Sequence, residues 1–169
     1  MKIIKVEATP INVPITVDVL GLNKETNLSI CLVRIETDEG HEGFGITGIT
    51  EEEVIATIVN VVATPALIGE DPIAIEKLWH KLYWILSPRG QTGYAAHAMA
   101  AIDIALWDIK GKAMGEPIWR LLGGARNKVP VYATFGYPFF DRDQLGEAAK
   151  LWVANGFTGL KMTVGDGAT

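Results

Sequence analysis

Two stretches of this sequence combine residue types and spacings that could support chemistry. The first, Gly43-Phe44-Gly45-Ile46-Thr47-Gly48, has the G-x-G-x-x-G spacing of loops that bind dinucleotides. The second is the segment 157–164 (FTGLKMTV), in which Lys161 stands near the end of an apolar run. The glycines could admit a pyrophosphate close to the backbone, and the lysine could meet an organic anion.

The glycine-rich stretch lacks two features of a nucleotide site. It follows the return strand of a hairpin, and no strand ending in an acidic residue comes about twenty residues later. The following helix also begins with Glu51, Glu52 and Glu53, and three carboxylates at a helix start repel a pyrophosphate. We therefore predict a plain glycine-rich loop, with a nucleotide-binding protein as the weaker alternative.

The lysine lies on a strand in which alternate residues share a face. Leu160 and Met162 form an apolar face, so Lys161 and Thr163 lie on the other. If the sheet closes into a barrel, the lysine points inward near the carboxyl end of its strand, where barrel active sites lie. The pattern leaves open a solvated lysine at a sheet edge.

Other residue types that bind metals are scattered rather than clustered. His80 and His97 lie on predicted helices without a partner at metal-ligand spacing, so we expect structural roles. Asp103 and Asp108 lie in an apolar helix, where a carboxylate commonly binds backbone or a lysine such as Lys112, four residues after Asp108.

The composition argues against several classes of protein. A chain of 169 residues with 49% hydrophobic and 21% charged residues can build a core. Its net charge of −5 disfavours nucleic acid and anionic membranes as partners, and no apolar run reaches about 18 residues. We predict a cytoplasmic protein, because the first residues lack a signal-peptide core and the lone Cys31 cannot form an internal disulfide.

Periodicity predicts a meander followed by helices and then a strand–helix–strand unit. Strands are predicted over 3–14, 28–37 and 41–46, with a flexible loop over 17–26. Helices follow over 51–62 (a Thr50/Glu53 capping box), from Asp71-Pro72 to Leu86, over 93–114, and from Pro117 to the Gly123-Gly124 pair. The 93–114 helix is apolar on nearly every side and should be covered on nearly every side. Strand 129–135, helix 141–155 and strand 157–164 form a βαβ unit, so its strands should be parallel.

The helix predicted over 93–114 and the residues that follow it, up to Gly124, resemble a known family. The run 101–112 (AIDIALWDIKGK), then Gly115-x-Pro117 and Leu121-Leu122-Gly123-Gly124, resembles the signature of the mandelate racemase and muconate lactonizing enzymes of the enolase superfamily. The resemblance implies an α+β capping domain, an antiparallel meander followed by helices, over 1–124. The first two strands of an α/β (β/α)-barrel would follow over 125–169, with the barrel incomplete in this chain.

The resemblance also implies an activity. Such enzymes bind Mg²⁺ and abstract the proton α to the carboxylate of a small-molecule substrate. We expect a sugar-acid dehydratase, with a racemase, epimerase or cycloisomerase of the same family as the alternative. The metal ligands would be Asp and Glu residues on the third to fifth barrel strands, so no metal ligand is expected in this chain.

The resemblance assigns roles to a few residues. Lys161 matches the first lysine of the family's Lys-x-Lys motif and would act as the catalytic lysine that steadies the carboxylate. Thr163 replaces the second lysine, so it could contact substrate but not serve as a base. Further substrate contacts are expected from a lid loop over 17–26, a second loop over 46–50 and the end of the first barrel strand: Leu20, Leu22, Asn23, Ile46, Thr47, Thr134 and Tyr137.

A (β/α)₈ barrel needs about 250 residues. We therefore expect these 169 residues to come from a longer protein, to be inactive alone and to take part in a homo-oligomer. A non-catalytic capping or association module is the alternative of another class.

Overall fold

The computed structural model describes residues 1–49, 51–86 and 92–163. The chain divides into two compact units. The first comprises Met1–Ile15 and Asn27–Ala125, and the second Thr16–Thr26 and Arg126–Thr169. Each unit is described on its own below.

A three-stranded sheet opens the chain. Its strands are β1 (Ile3–Val17), β2 (Lys24–Thr37) and β3 (Glu42–Gly48), in the spatial order β1-β2-β3, with β2 and β3 antiparallel. The predicted loop over 17–26 was wrong at both ends, because only residues 18–23 connect the strands. The third strand likewise runs two residues beyond its predicted end. Ladder hydrogen bonds join backbone groups whatever the side chains, so polar residues at a strand end do not stop the pairing.

A helical segment with three parts follows the sheet. It contains α1 (Glu52–Thr57), a π-helical turn (Ile58–Ala63) and α2 (Thr64–Leu67). The predicted capping box involves Thr50, which lies outside the described residues, and Glu51 occupies the N-cap without a side-chain capping bond. In the π turn, Asn60 accepts a hydrogen bond from the Ala8 amide and donates one to the Ala8 carbonyl, both at 2.8 Å. This side chain thereby pairs with the edge strand β1.

Two long helices complete the core of the first unit. Helix α3 (Ile75–Leu86) starts later than predicted, because the Asp71 carboxylate accepts from the Ile73 amide at 2.9 Å and forms a turn before the helix. Helix α4 (Tyr94–Met114) packs against β3 and α3. Within the described residues α4 is covered on fewer sides than predicted, since Ala96, Ala100 and Ile104 are exposed.

The second unit contains a parallel strand pair. After the short helix α5 (Ile118–Leu121) closes the first unit, the elements are β4 (Ala133–Phe135), α6 (Arg142–Ala154) and β5 (Leu160–Met162). The predicted parallel pairing of β4 and β5 is confirmed, although both strands are shorter than predicted. Helix α6 begins with a capping box between Asp141 and Gln144. In the part of the chain that the structure describes, each of these strands pairs only with the other, so the regular strand geometry is confined to the paired residues.

Candidate active site

Lys161 and Thr134 share one face of the two-stranded sheet. They are register partners in the parallel pair, and both side chains are exposed. The other face carries Met162, which lies close to α6, since a Cβ at Gly136 would be 2.7 Å from Met162 Cγ and 3.3 Å from Leu145 Cδ2. Lys161 therefore lies on the face opposite the helix, as an inward-facing barrel lysine would. Its role in catalysis stays a prediction.

The ammonium group of Lys161 lies over an aromatic ring. Its Nζ is 5.8 Å from the centroid of the Tyr132 ring. Among the residues that the structure describes, no carboxylate forms an ion pair with it. Sequence analysis missed Tyr132, although the two-residue period of strands places residue 132 on the same side as Thr134.

The carboxyl ends of the two strands carry the remaining predicted residues of this unit. The Thr163 amide donates to the Phe135 carbonyl at 3.2 Å, so the ladder continues one residue past β5. Tyr137 follows β4, with its ring stacked on Phe139 at 5.4 Å and 39% of its surface exposed. Parallel strands end at a common edge, so Thr163 and Tyr137 lie at the edge where barrel active sites lie.

The predicted lid residues lie in the tight connection between β1 and β2. Leu20 and Asn23 have positive φ angles of 58° and 45°. The Leu22 amide donates to the Val19 carbonyl at 3.2 Å, and Asn23 Nδ2 donates to the Gly21 carbonyl at 3.3 Å. Leu20 is 40% exposed, whereas Leu22 is half-buried. Left-handed backbone is costly for leucine, so this turn holds Leu20 in an uncommon geometry.

Ile46 and Thr47 lie in β3 rather than in the loop predicted for them. The strand alternation turns Ile46 outward, 50% exposed, and Thr47 inward, 9% exposed. Thr47 Oγ1 lies 3.0 Å from His97 Nδ1, so its hydroxyl already has a partner. The substrate contacts predicted for both residues stay predictions.

The glycine-rich loop predicted over 43–48 was wrong, because these residues belong to strand β3, and two of their glycines serve helix packing. A Cβ at Gly43 would lie 2.1 Å from the Ala105 carbonyl oxygen, and one at Gly45 would lie 1.8 Å from the Ala101 carbonyl oxygen. Only residues without a side chain allow α4 to approach the strand this closely. This close packing accounts for the first two glycines without a nucleotide.

Of the two aspartates of α4, Asp108 has the kinds of partner expected from the sequence. Asp108 accepts hydrogen bonds from the Phe44 amide at 2.9 Å and from Lys112 Nζ at 2.7 Å. Asp103 is partly buried, and this burial, with a smaller contribution from Glu76, raises the pKa of its carboxyl. Asp108 is therefore explained by its local contacts, whereas the expectation of a backbone or lysine partner was wrong for Asp103 among the described residues.

A cleft at the end of the first unit was not foreseen. Its volume is about 380 Å³, and Glu51, Tyr94 and His97 help to line it. Ile49 also lines it, 85% exposed with φ of 58°. A β-branched residue rarely has this backbone conformation, and nothing in the sequence pattern marks it.

The described residues do not fit a Mg²⁺ site. Across 1–49, 51–86 and 92–163, no three His, Cys, Asp or Glu side chains come together in a way that could hold a metal ion. None of the helices in these ranges is both long and apolar enough to cross a bilayer.

Comparison with known proteins identifies the family. Residues 2–123 match the model of the mandelate racemase/muconate lactonizing enzyme N-terminal domain. The chain belongs to this family. The solved L-talarate dehydratase of Polaromonas sp. JS666, complexed with Mg and L-glucarate, has a TM-score of 0.79 and 34% identity, covering 98% of this chain and 44% of that one. The family's expected combination of a capping domain and two parallel barrel strands is thus confirmed.

Two curated relatives in the mandelate racemase/muconate lactonizing enzyme family show the range of reactions. The 3,6-anhydro-alpha-L-galactonate cycloisomerase of Streptomyces coelicolor is 38% identical over 82% of this chain. The arabinonate dehydratase of Saccharolobus solfataricus is 34% identical over 83% of it. The chain spans 39% of the length of each relative.

Proposed function

We propose that the whole protein is a Mg²⁺-dependent sugar-acid dehydratase that abstracts the α-proton of its carboxylate substrate. Family membership supports this, together with similarity to an arabinonate dehydratase and to an L-talarate dehydratase solved with Mg and L-glucarate. We retain 1–124 as the capping domain and 125–169 as the start of the barrel.

The placement of Lys161 carries the proposal. A proton α to a carboxylate is very weakly acidic, so the negative charge that develops on its removal needs cationic donors already in position. Lys161 presents an ammonium on the face opposite α6 without a carboxylate partner among the described residues. Its role would be to hold the substrate carboxylate.

In this proposal neither Lys161 nor Thr163 is the catalytic base. The Thr163 hydroxyl is far too weakly acidic to supply an alkoxide at neutral pH, so Thr163 can only donate or accept hydrogen bonds. A bound Mg²⁺ would stabilise the negative charge of the intermediate. The described residues do not form its site, and we propose that Asp and Glu residues of the third to fifth barrel strands would hold it, as the family resemblance implies.

The substrate would be lined by residues of the lid, β3 and the barrel-strand ends. Leu20 and Ile46 offer apolar surface, and Thr134 offers a hydroxyl in register with Lys161. The full set that we propose to line the substrate is Leu20, Leu22, Asn23, Ile46, Thr47, Thr134, Tyr137 and Thr163.

Similarity to a cycloisomerase favours an isomerase as the second candidate. The two reactions differ in atom balance, because a dehydratase releases one water and an isomerase product keeps the mass of its substrate. Mass spectrometry of the products therefore separates them.

The test is an assay of the whole protein against aldonic and aldaric acids with Mg²⁺ and with a chelator. We expect a dehydrated product only with the metal. Lys161→Met should lower kcat/KM by about 10²–10³, as expected for removing an electrostatic donor. Wild-type protein that transforms no acid of the panel, or a Lys161→Met variant of unchanged activity, would refute the proposal.

We also propose a homo-oligomer and a cytoplasmic location. Light scattering coupled to size-exclusion chromatography of the whole protein, and fractionation of the source cells, test these two points.

A further inference from the structure

We propose that Tyr132 is a positioning residue for Lys161. Its ring holds the ammonium group on the sheet face opposite α6 until a substrate anion replaces the ring. The catalytic consequence rests on the proposed function. The ring–ammonium contact itself can be tested independently of any reaction.

Strand geometry places the two side chains together. Residues 132 and 134 lie on one side of the chain, and Thr134 is the register partner of Lys161. Tyr132 is therefore the diagonal neighbour of Lys161, displaced toward the amino ends of the strands. The distance of 5.8 Å between Lys161 Nζ and the ring centroid lies within the range of cation–π attraction.

Gly159 leaves the space that the tyrosine needs. A Cβ at position 159 would lie 3.1 Å from Tyr132 Cβ, closer than ordinary contact. Gly159 also accepts the Ala133 amide hydrogen bond at 3.1 Å, so the two strands cannot easily separate here. A side chain at 159 would have to displace Tyr132, and with it the support under the ammonium.

An aromatic ring suits a lysine that must bind a carboxylate later. Lys81 illustrates the alternative, since its Nζ lies 2.8 Å from a carboxylate oxygen of Glu70. Such a partner would compete directly with a substrate carboxylate. A ring orients the ammonium without neutralising it, and its attraction at an exposed site is weak enough to yield to an anion.

The contact predicts a spectroscopic signature. In NMR spectra of the chain with ¹³C-labelled lysine, the ring current should shift the Lys161 ε-protons upfield relative to those of Lys150. Lys150 is the reference because its Nζ pairs with Glu147 at 2.8 Å. We expect Tyr132→Leu to remove the shift, Tyr132→Phe to retain it, and Gly159→Ala to reduce it. An unshifted Lys161 in the wild-type chain, or a shift that survives Tyr132→Leu, would overturn the proposal.

Kinetics of the whole protein test the positioning role. Tyr132→Leu should raise KM about two- to five-fold with little change in kcat, which corresponds to the loss of one exposed cation–π contact. Tyr132→Phe should restore the wild-type KM, because the ring and not the hydroxyl acts on the lysine. Equal KM values for wild type and Tyr132→Leu, in folded and active proteins, would overturn the inference. Wild-type protein inactive on every acid would instead refute the proposed function, and the ring-current measurement would still decide the contact.

Discussion

Lys112 on helix α4 and Lys161 on strand β5 carry the same charge in very different surroundings. Lys112 Nζ donates to Asp108 Oδ2 at 2.7 Å and to the Glu42 carbonyl at 2.8 Å, and it lies 5.1 Å from the centroid of the Phe44 ring. Lys161 lies over one aromatic ring, that of Tyr132.

The difference separates a lysine that stabilises the fold from one available to a ligand. Asp108 and Lys112 bond to the Phe44 amide and the Glu42 carbonyl, which belong to the outer strand β3. They join helix to sheet and occupy backbone groups that another strand could otherwise pair with. Within the described ranges no carboxylate ties Lys161 to a second element, so its ammonium keeps its capacity to bind an anion.

The largest expected effect lies where α4 meets β3. Gly45→Ala would place a methyl group 1.8 Å from the Ala101 carbonyl oxygen, so the helix would have to move. We expect a loss of about 4 kcal/mol or more in the free energy of unfolding, measured by urea denaturation.

The matched control is Gly146→Ala in α6, where a Cβ would meet no atom within 4 Å. This change should stabilise by about 0.5–1 kcal/mol, because alanine is the better helix former. A tolerated Gly45→Ala would contradict the close packing of α4 on β3.

A smaller loss of stability is expected where Asp108 joins helix α4 to strand β3, a contact called the Asp108 junction below. Asp108→Ala removes two hydrogen bonds, one of them charge-assisted on both sides, and should cost about 2 kcal/mol in the free energy of unfolding. Glu147→Ala serves as the control, because it breaks a solvent-exposed pair with Lys150 and should cost less than about 0.5 kcal/mol. Equal losses in the two variants would remove the distinction between a junction and a surface pair.

The loss of folding stability at acid pH should depend on Glu70. Hydrogen bonds from Lys77 and then Lys81 lower the pKa of its carboxyl from 4.5 to about 2. A lowered folded-state pKa contributes stability above pH 4.5, and this contribution is lost as the pH falls toward 2. The Tm difference between wild type and Glu70→Gln should therefore be largest near neutral pH and vanish near pH 2. A difference that does not change with pH would contradict the ion pairs.

The smallest effect on stability is expected at Lys161. Lys161→Met should change the free energy of unfolding by less than about 0.5 kcal/mol, because the exposed lysine has no carboxylate partner among the described residues. Lys112→Met, by contrast, removes an ion pair and a bond to the Glu42 carbonyl and should destabilise measurably. A strongly destabilised Lys161→Met would mean that Lys161 stabilises the fold.

Periodicity alone predicted much of this arrangement. The apolar positions of α3, the Gly123-Gly124 end of α5 and the parallel strands around Lys161 all follow from local patterns. Strand lengths and the π turn over Ile58–Ala63 did not, because they depend on what each backbone group meets in space.

The residue sequence by itself determined which residues share a face, because side-chain direction repeats every two residues in a strand and every 3.6 in a helix. It thus placed Lys161 opposite the apolar face of its strand. Only the tertiary structure decided that Gly45 meets Ala101, that Asp108 binds the Phe44 amide and that Tyr132 lies under Lys161. These contacts join residues far apart in the chain, and no local period encodes the distance between two elements.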